Sequence, residues 1–190
     1  MKFEKLLSNN GLFFEDIKII TPNIFNDNRG YFYESWNKKL FNLNIQYSNF
    51  CQENHSYSTK NVLRGLHYQK SPHSQSKLVE CLVGKVYDVV VDLRKKSPTF
   101  LSWGGIELSE RNHKQIFIPE GFAHGFYTLS NNAHLIYKVN NYWHPDSEKT
   151  IIWNDPKISI NWMELAGEPI ISEKDASGKN IDKLFPEDFY

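Results

Sequence analysis

Val-Tyr-Asp-Val-Val-Val-Asp-Leu, residues 86–93, has the two-residue period of a β-strand. One face of this strand would carry only apolar side chains, those of Tyr87, Val89, Val91 and Leu93. The opposite face would be mixed and would carry Val86, Asp88, Val90 and Asp92. We expect the apolar face to pack on a core and the mixed face to be available to an enclosed polar cavity.

Similar short runs fill most of the chain, and turn-forming Asn, Asp, Gly, Pro and Ser residues separate them. This pattern is typical of an all-β protein, and its spacing suits a sandwich or a barrel. One helical turn is predicted at Asn37–Asn42. Further strands are predicted at Phe14–Ile20, Gly30–Glu34, Ile45–Ser56, Val62–Tyr68, Lys77–Val83, Trp103–Leu108, Lys114–Ile118, Ala123–Leu129, Ala133–Asn140 and Thr150–Trp153.

The bulk properties of the chain exclude several classes of protein. No linker or repeat divides it, so one domain is expected over residues 1–190. Its formal net charge is zero, which does not favour a nucleic-acid partner. The cysteines, Cys51 and Cys81, lack paired spacing and indicate a reducing compartment rather than a metal site. Without an apolar leader or a run of membrane length, we expect a cytoplasmic protein with no membrane association.

Two segments are similar to the motifs of cupin barrels, but the metal ligands are replaced. In Arg-Gly-Leu-His-Tyr-Gln, residues 64–69, Gln69 stands where a metal cupin has its second histidine. Lys77, seven residues before Gly84, stands where the metal-binding glutamate would be. The second motif, Pro-Glu-Gly-Phe-Ala-His at residues 119–124, is intact. Because a protonated lysine cannot ligate a cation, we expect no metal and no other cofactor.

Six collinear blocks carry a resemblance to a known family. They are residues 25–34 (FNDNRGYFYE), 52–69 (QENHSYSTKNVLRGLHYQ), 75–94 (QSKLVECLVGKVYDVVVDLR), 119–126 (PEGFAHGF), 137–145 (YKVNNYWHP) and 172–175 (SEKD). In these blocks the chain resembles the dTDP-4-dehydrorhamnose 3,5-epimerases. The resemblance implies an all-β, cupin-type double-stranded β-helix, a jelly-roll barrel, with a few short peripheral helices. It also implies a cofactor-independent isomerase that converts dTDP-4-dehydro-6-deoxy-D-glucose to dTDP-4-dehydro-L-rhamnose.

The chemistry of that reaction explains the catalytic residues that the resemblance implies. The carbonyl at C4 acidifies the C–H bonds at C3 and C5, and inversion requires a base on one face and an acid on the other. By resemblance His67 is the base, and imidazole suits this role near neutral pH. Tyr137 is the opposing acid, Lys77 stabilises the enolate oxygen, and Asp175 orients His67.

The same resemblance implies a set of residues that contact the substrate and a partner subunit. Arg29 and Arg64 are the candidates for the diphosphate, because the planar guanidinium pairs with phosphate oxygens. Phe25 stacks on the base. The remaining contacts to the nucleotide or sugar are Glu34, Gln52, Asn54, Asp88, His124, Glu148 and Lys174. The family also implies a homodimer in which the N-terminal segment of one subunit completes the site of the other.

Several of these residues have a structural interpretation as well. The spacing of Ser172 and Asp175 also fits a helix-capping box. Asp88 and Asp92 could serve in an ion pair with Arg94 or in a turn contact, and we favour this interpretation for Asp92.

The positions of Arg64 and His67 pose a second structural question. The two residues are three positions apart, so a regular strand would direct them to opposite faces, unless Gly65 between them permits a bulge.

Two departures from the family pattern leave alternatives open. Ser76 replaces a glycine before Lys77, and Trp143 replaces a tyrosine after Tyr142. Loss of that phenol bears on whether both carbons are inverted, so an epimerase acting at C3 or C5 alone on a related 4-keto nucleotide sugar is the main alternative. A cupin-like module that only binds sugar nucleotides is a remote one, because a binder needs no acid–base pair. A metal-dependent cupin enzyme is disfavoured by Gln69 and Lys77.

Overall fold

A computed structural model describes residues 1–45, 49–162, 168–184 and 189–190. Two short α-helices lie within them, α1 (Lys38–Asn44) and α2 (Glu173–Ala176), and neither has the length or the apolar run that crossing a membrane requires. The strands are β1 (Lys2–Leu7), β2 (Phe13–Thr21), β3 (Phe25–Asp27), β4 (Gly30–Phe32), β5 (Gln52–Thr59), β6 (Leu63–Gln69), β7 (Lys77–Val83), β8 (Lys85–Asp92), β9 (Trp103–Ser109), β10 (Gln115–Ile118), β11 (Phe122–Thr128), β12 (Asn132–Val139) and β13 (Glu148–Thr150).

The strands form two facing antiparallel sheets and a separate hairpin. One sheet has the order β1-β2-β10-β7-β12-β5, and the other has the order β13-β6-β11-β8-β9. The hairpin is β3-β4. Buried side chains from both sheets fill the space between them, among them Phe14, Ile17, Val79, Val90, Ile116 and Leu135. This is the expected cupin-type jelly roll, so the predicted fold class is confirmed.

The alternating segment 86–93 lies at the centre of this arrangement in β8. Its mixed face points between the sheets, where Val86 and Val90 join the inner core. Its apolar face packs on a second core that includes Ile158 and Trp162 from the C-terminal part of the chain. The expectation for the apolar face is therefore confirmed. The mixed face is buried as well and packs in the inner core, and none of its four residues directly lines the polar cavity between the sheets.

Two of the predicted strand boundaries are wrong. Within the described part of Ile45–Ser56, strand structure begins only at Gln52, because Ile45 caps α1; residues 46–48 lie outside the described residues. The strand predicted at Thr150–Trp153 is instead Glu148–Thr150. Ile151 still exchanges two backbone hydrogen bonds with Leu66 of β6, at 3.0 and 3.1 Å; the chain then turns away, and the N–H of Ile152 donates to the carbonyl of Lys179 at 3.1 Å.

The predicted helical turn is real and extends to Asn44. The side chain of Asn37 caps α1 by accepting a hydrogen bond from the N–H of Leu40 at 3.1 Å. Phe41 and Ile45, four residues apart, place apolar groups on one side of the helix and pack on the outer face of the six-stranded sheet. Strands β1 and β3 were not predicted: β1 mixes charged and apolar residues, and β3 has only three exposed residues.

A buried carboxylate secures the end of β8, as the ion-pair interpretation predicted. Asp92 accepts hydrogen bonds from the guanidinium of Arg94 at 2.9 Å and from the hydroxyls of Ser97 and Thr99 at 2.6 Å. Burial alone raises the pKa of Asp92, but these hydrogen bonds outweigh burial, and the pKa lies below its usual value.

We predict that Asp92→Ala lowers the free energy of unfolding by about 3–5 kcal/mol, because it removes the buried acceptor of two hydroxyls and the buried one of the two carboxylates that hold Arg94. Urea denaturation at pH 7 measures the change. Asp16→Ala is the matched control, since Asp16 pairs with the same guanidinium at 2.6 Å but its side chain is 44% exposed, whereas that of Asp92 is fully buried. Its cost should stay below about 1 kcal/mol. Equal costs for the two variants would contradict this account.

Candidate active site

A cavity of about 370 Å³ opens between the two sheets. Polar and charged side chains converge on it from six strands, from the loop after β12, and from α2. The lining residues are Ser56, Arg64, His67, Lys77, Val79, His124, Gly125, Phe126, Leu135, Tyr137, Trp143, Glu148 and Lys174.

A bulge in β6 brings Arg64 and His67 into the same cavity. In the ladder with β11, His67 pairs with His124 and Arg64 pairs with Phe126, so three steps along β6 match two steps along β11. The extra residue is accommodated at Gly65, whose φ is +120°. The bulge anticipated at this glycine is thus present, and it resolves the conflict between the strand period and a shared pocket.

His67 is held by a buried carboxylate. Its Nε2 lies 2.6 Å from Oδ1 of Asp175, and Oδ2 of Asp175 accepts a hydrogen bond from the N–H of Gly65 at 3.2 Å. Burial alone raises the pKa of Asp175, but the hydrogen bonds from His67 and Gly65 outweigh it and keep the pKa low. The carboxylate therefore stays ionised and can stabilise an imidazolium.

The capping interpretation of this segment is correct in part. The hydroxyl of Ser172 caps α2 by accepting a hydrogen bond from the N–H of Asp175 at 3.1 Å. The Asp175 side chain does not return this bond to the backbone of Ser172, as a capping box would require; it points to His67. The short helix thus serves to aim one carboxylate.

A second histidine–carboxylate pair lies beside Lys77. Nε2 of His124 is 2.8 Å from Oδ2 of Asp88, and both side chains are buried. Burial lowers the pKa of His124, although Asp88 opposes the change. Burial also lowers the pKa of Lys77 to about 8, while Asp88 and Glu148 favour its charged form. Lys77 is thus an ammonium at neutral pH, supported by the carboxylate next to it.

Tyr137 approaches the cavity from the opposite wall to His67. His67 lies on β6 of the five-stranded sheet, whereas Tyr137 lies on β12 of the six-stranded sheet, with Lys77 on the neighbouring strand β7. Burial raises the pKa of Tyr137, so the phenol stays protonated well above neutral pH. The cavity therefore has a potential base and a potential acid on facing walls.

The mouth of the cavity is charged. Lys174 pairs with Glu148 at 2.6 Å, and the indole N–H of Trp143 donates to the same carboxylate at 3.1 Å. Burial alone raises the pKa of Glu148, but these two hydrogen bonds outweigh it and lower the pKa. Arg64 completes the rim, with its guanidinium anchored on the hydroxyl of Ser58 at 3.0 Å.

Seven of the predicted site residues do not line this cavity. Two of them, Asp88 and Asp175, are buried behind it and contact the lining residues His124 and His67, whereas the other five lie on β5 or in the region of the β3-β4 hairpin. Gln52 and Asn54 bond to each other at 2.8 Å on β5 and share a strand face with Ser56, which does line the cavity. The others belong to the β3-β4 hairpin and the segment after it; they are Phe25, Arg29 and Glu34, all exposed. Arg29 pairs with Asp27, and Glu34 accepts a hydrogen bond from Asn37.

Sequence reasoning missed the uncharged part of the lining. Ser56, Val79 and Leu135 lie two residues from Asn54, Lys77 and Tyr137, so the strand period could have identified them. Gly125 and Phe126 lie in the block that contains His124, but they have no titratable or hydrogen-bonding side chain that would indicate a functional role. Among the described residues, no three His, Cys, Asp or Glu side chains converge as a metal site would require.

Comparison with known proteins places this architecture in a family. Residues 12–183 match the family model of dTDP-4-dehydrorhamnose 3,5-epimerases. The curated dTDP-4-dehydrorhamnose 3,5-epimerase of Salmonella typhimurium is 50% identical over 169 residues, which cover 88% of this chain and 92% of that protein.

Solved structures agree in fold. A dTDP-6-deoxy-D-glucose-3,5-epimerase from Legionella pneumophila, in complex with dTDP-4-keto-L-rhamnose, superposes with a TM-score of 0.91 at 43% identity, over 99% of this chain and 97% of that one. A 3'-monoepimerase from Streptomyces bikiniensis, in complex with dTDP-quinovose, superposes with a TM-score of 0.83 at 28% identity, over 88% and 85% of the two chains. By its family match and its identity to curated members, the chain belongs to the dTDP-4-dehydrorhamnose 3,5-epimerase family.

Proposed function

We propose that this protein is an isomerase that converts dTDP-4-dehydro-6-deoxy-D-glucose to dTDP-4-dehydro-L-rhamnose by inverting C3 and C5. The observation that carries the proposal is the placement of His67 and Tyr137 on facing sheets of one cavity, with Lys77 on the strand next to that of Tyr137. The curated relative from Salmonella typhimurium, at 50% identity, bears the name of this activity.

His67 begins each inversion as a general base. Because Asp175 holds Nε2, the other ring nitrogen, Nδ1, accepts the proton from the sugar carbon next to the ketone. The C–H bond breaks, and its electron pair forms the C–C double bond of an enolate. The ionised Asp175 stabilises the resulting imidazolium and keeps the ring oriented.

Lys77 stabilises the charge that develops on the C4 oxygen. The carbonyl becomes an enolate oxygen as the proton leaves, and a fixed ammonium nearby favours this state over the neutral ketone. The cation stands at the position where a metal cupin would have its glutamate ligand. Asp88 supports the charge on Lys77.

Tyr137 completes the inversion from the other face. Its phenol donates a proton to the enolate carbon, the carbonyl re-forms, and the configuration at that carbon is reversed. The same pair can serve C3 and C5, because both carbons flank the same carbonyl. Exchange with solvent then restores the phenol and the neutral imidazole.

The charged rim suits the nucleotide diphosphate. Arg64 and Lys174 provide two cations at the mouth, and the guanidinium of Arg64 has a planar fork that matches phosphate oxygens. Glu148 lies between Lys174 and the indole of Trp143, where it can orient both groups toward the substrate.

A homodimer would bring the remaining predicted residues to the site. Phe25 and Phe32 face each other on the β3-β4 hairpin and are 63% and 66% exposed, so the hairpin presents an apolar surface that a partner could cover. Phe25, Arg29 and Glu34 do not line the cavity of their own chain. We infer that the hairpin projects into the site of a second copy, where Phe25 meets the base and Arg29 meets the diphosphate.

A single-carbon epimerase is the second candidate, and Trp143 is the observation that favours it. Its indole lines the cavity where the family commonly has a second phenol. The Streptomyces bikiniensis protein, a 3'-monoepimerase, has the same fold at 28% identity. The number of carbons inverted is therefore the first quantity to measure.

We predict that the wild-type protein, incubated with the 4-keto-6-deoxyglucose nucleotide in deuterated water, incorporates deuterium at both C3 and C5. His67→Ala should abolish incorporation at both carbons, because the residue assigned as the base has been removed. Tyr137→Phe should retain part of the exchange but block inversion, because the enolate can be reprotonated only from the His67 side. NMR of the recovered nucleotide sugar reports both.

Label at one carbon would support the single-carbon alternative. Absence of label in the wild-type protein would refute both enzyme proposals, and full activity in either variant would refute the assignment of the acid–base pair.

A second prediction concerns Lys77. Because its pKa is lowered to about 8, the ammonium is present below this pH and is lost as the pH rises through it, so kcat should fall above about pH 8. Tyr137 should not contribute to this limb, since burial raises its pKa. Lys77→Arg should move the limb to higher pH, because guanidinium stays charged. Lys77→Met should lower kcat about 10²–10³-fold at pH 7. An unchanged limb in Lys77→Arg would contradict the assignment.

A third prediction tests the shared site. Arg29→Ala and His67→Ala should each be nearly inactive as pure proteins. After subunit exchange of an equal mixture, about half of the dimers are mixed, and each contains one site with both wild-type residues, so activity should recover to about a quarter of the wild-type level. Sedimentation should give a dimer mass. A monomer, or a mixture without recovery, would refute the proposed exchange.

A further inference from the structure

Gln69 makes an arrangement of hydrogen bonds that the reaction itself does not explain. Its side chain is buried at the end of β6. The amide nitrogen donates to the carbonyl of His73 at 2.6 Å and to the carbonyl of Tyr142 at 3.2 Å. The amide oxygen accepts a hydrogen bond from the N–H of His144 at 2.7 Å. One side chain therefore satisfies three backbone groups from two different loops.

Two of these three groups flank Trp143. The carbonyl of Tyr142 lies on one side of it and the N–H of His144 on the other, so the amide of Gln69 fixes the backbone on both sides of a single residue. This is the contact that a neighbouring strand would supply through its own peptide group. With the backbone held, Trp143 can move only by rotation of its side chain.

The residue so held is part of the cavity. The indole of Trp143 lines it and donates to Glu148, which in turn pairs with Lys174. More than half of the Trp143 side chain remains exposed, so packing alone does not determine its position. The hydrogen bonds between Gln69 and the backbone beside Trp143 therefore restrain this residue where side-chain packing does not.

A second contact joins the same two loops. The imidazole rings of His73 and His144 stack with their centroids 3.9 Å apart and their planes at 3°. His73 and His144 are also two of the residues whose backbone groups Gln69 binds. The loop before β7 and the loop after β12 thus form one unit with Gln69 at its centre.

We propose that Gln69 is a positioning residue that sets the location of Trp143, and through it of Glu148, for binding of the nucleotide sugar. The consequence for turnover rests on the function proposed above, whereas the effect on Trp143 does not. Only an amide can fill this role: a carboxylate would face the carbonyl oxygens of His73 and Tyr142, and an apolar side chain would leave all three backbone groups without a partner.

The test compares Gln69→Glu and Gln69→Met with the wild-type protein. In either variant KM should rise about tenfold or more, because the carbonyls of His73 and Tyr142 lose their buried donor. The kcat should change less than threefold, since His67 keeps Asp175, Lys77 keeps the charge of Asp88 and Tyr137 keeps its packing on the inner core. In the background of Trp143→Phe, Gln69→Glu should have little further effect on KM, as expected of two residues that act as a unit.

Fluorine NMR measures the effect on Trp143 without any substrate. The chain has five tryptophans, and the protein labelled with 5-fluorotryptophan should give a resonance for Trp143 that is assigned by its absence in Trp143→Phe. Gln69→Glu and Gln69→Met should shift or broaden this resonance. The signals of Trp36, Trp103, Trp153 and Trp162 should stay in place, which would show that the variants fold.

Gln75→Glu is the matched control. It makes the same chemical change in a residue that holds the same loop, because the amide of Gln75 donates to the carbonyl of Asn141 at 2.7 Å but makes no bond on either side of Trp143. Its KM should change less than threefold, and the Trp143 resonance should not move.

An unmoved Trp143 resonance in both Gln69 variants would overturn the proposal, and so would equal effects of Gln75→Glu and Gln69→Glu. Changes in all five fluorine signals would overturn it too, because Gln69 would then support the fold and not one residue. A wild-type protein without turnover would refute the proposed function, while the fluorine comparison would still decide the role of Gln69.

Discussion

The site depends on one close approach of two backbones at the bulge in β6. A Cβ atom on Gly65 would lie 2.6 Å from the Cα of Gly125, closer than such atoms approach in folded proteins. Because no residue with a side chain fits at this position, a glycine is required there. The bulge at this glycine directs both His67 and Arg64 into one cavity. The N–H of the same glycine donates to Asp175, so the bulge also helps to place the carboxylate that contacts His67. One backbone feature thus positions Arg64, His67 and Asp175, the residues for which we propose roles in phosphate recognition and acid–base chemistry.

Electrostatics explains why a lysine can stay charged inside this barrel, at a position where metal cupins have a metal ligand. Lys77 lies among carboxylates that favour its charged form, while burial alone would disfavour it. His124 is bound by Asp88 and is driven by burial toward the neutral form. His67, by contrast, has an ionised partner of its own in Asp175. The two histidines therefore differ in environment, although they pair in the same ladder.

Much of the fold and part of the site could be predicted from local patterns. The two-residue period identified the strands that carry His67, Lys77 and Tyr137, because alternation is a property of each strand alone. The end of the strand near Ile45 was not predictable in this way, since the outer face of the sheet decides whether that segment packs as helix or strand. The sequence near Ser172 also could not show whether Asp175 belongs to a helix cap or contacts His67, because His67 is 108 residues away in the chain.

The amino-acid sequence by itself determined the class of fold, the family and the replacement of metal ligands by Gln69 and Lys77, because each of these follows from residue type and spacing. The tertiary structure alone decided which groups meet. It placed His67 and Tyr137 on facing sheets, left the β3-β4 hairpin outside its own cavity, and joined Gln69 to the backbone on both sides of Trp143. The physical reason is that such contacts connect residues far apart in the chain, and their geometry arises only when the two sheets pack together.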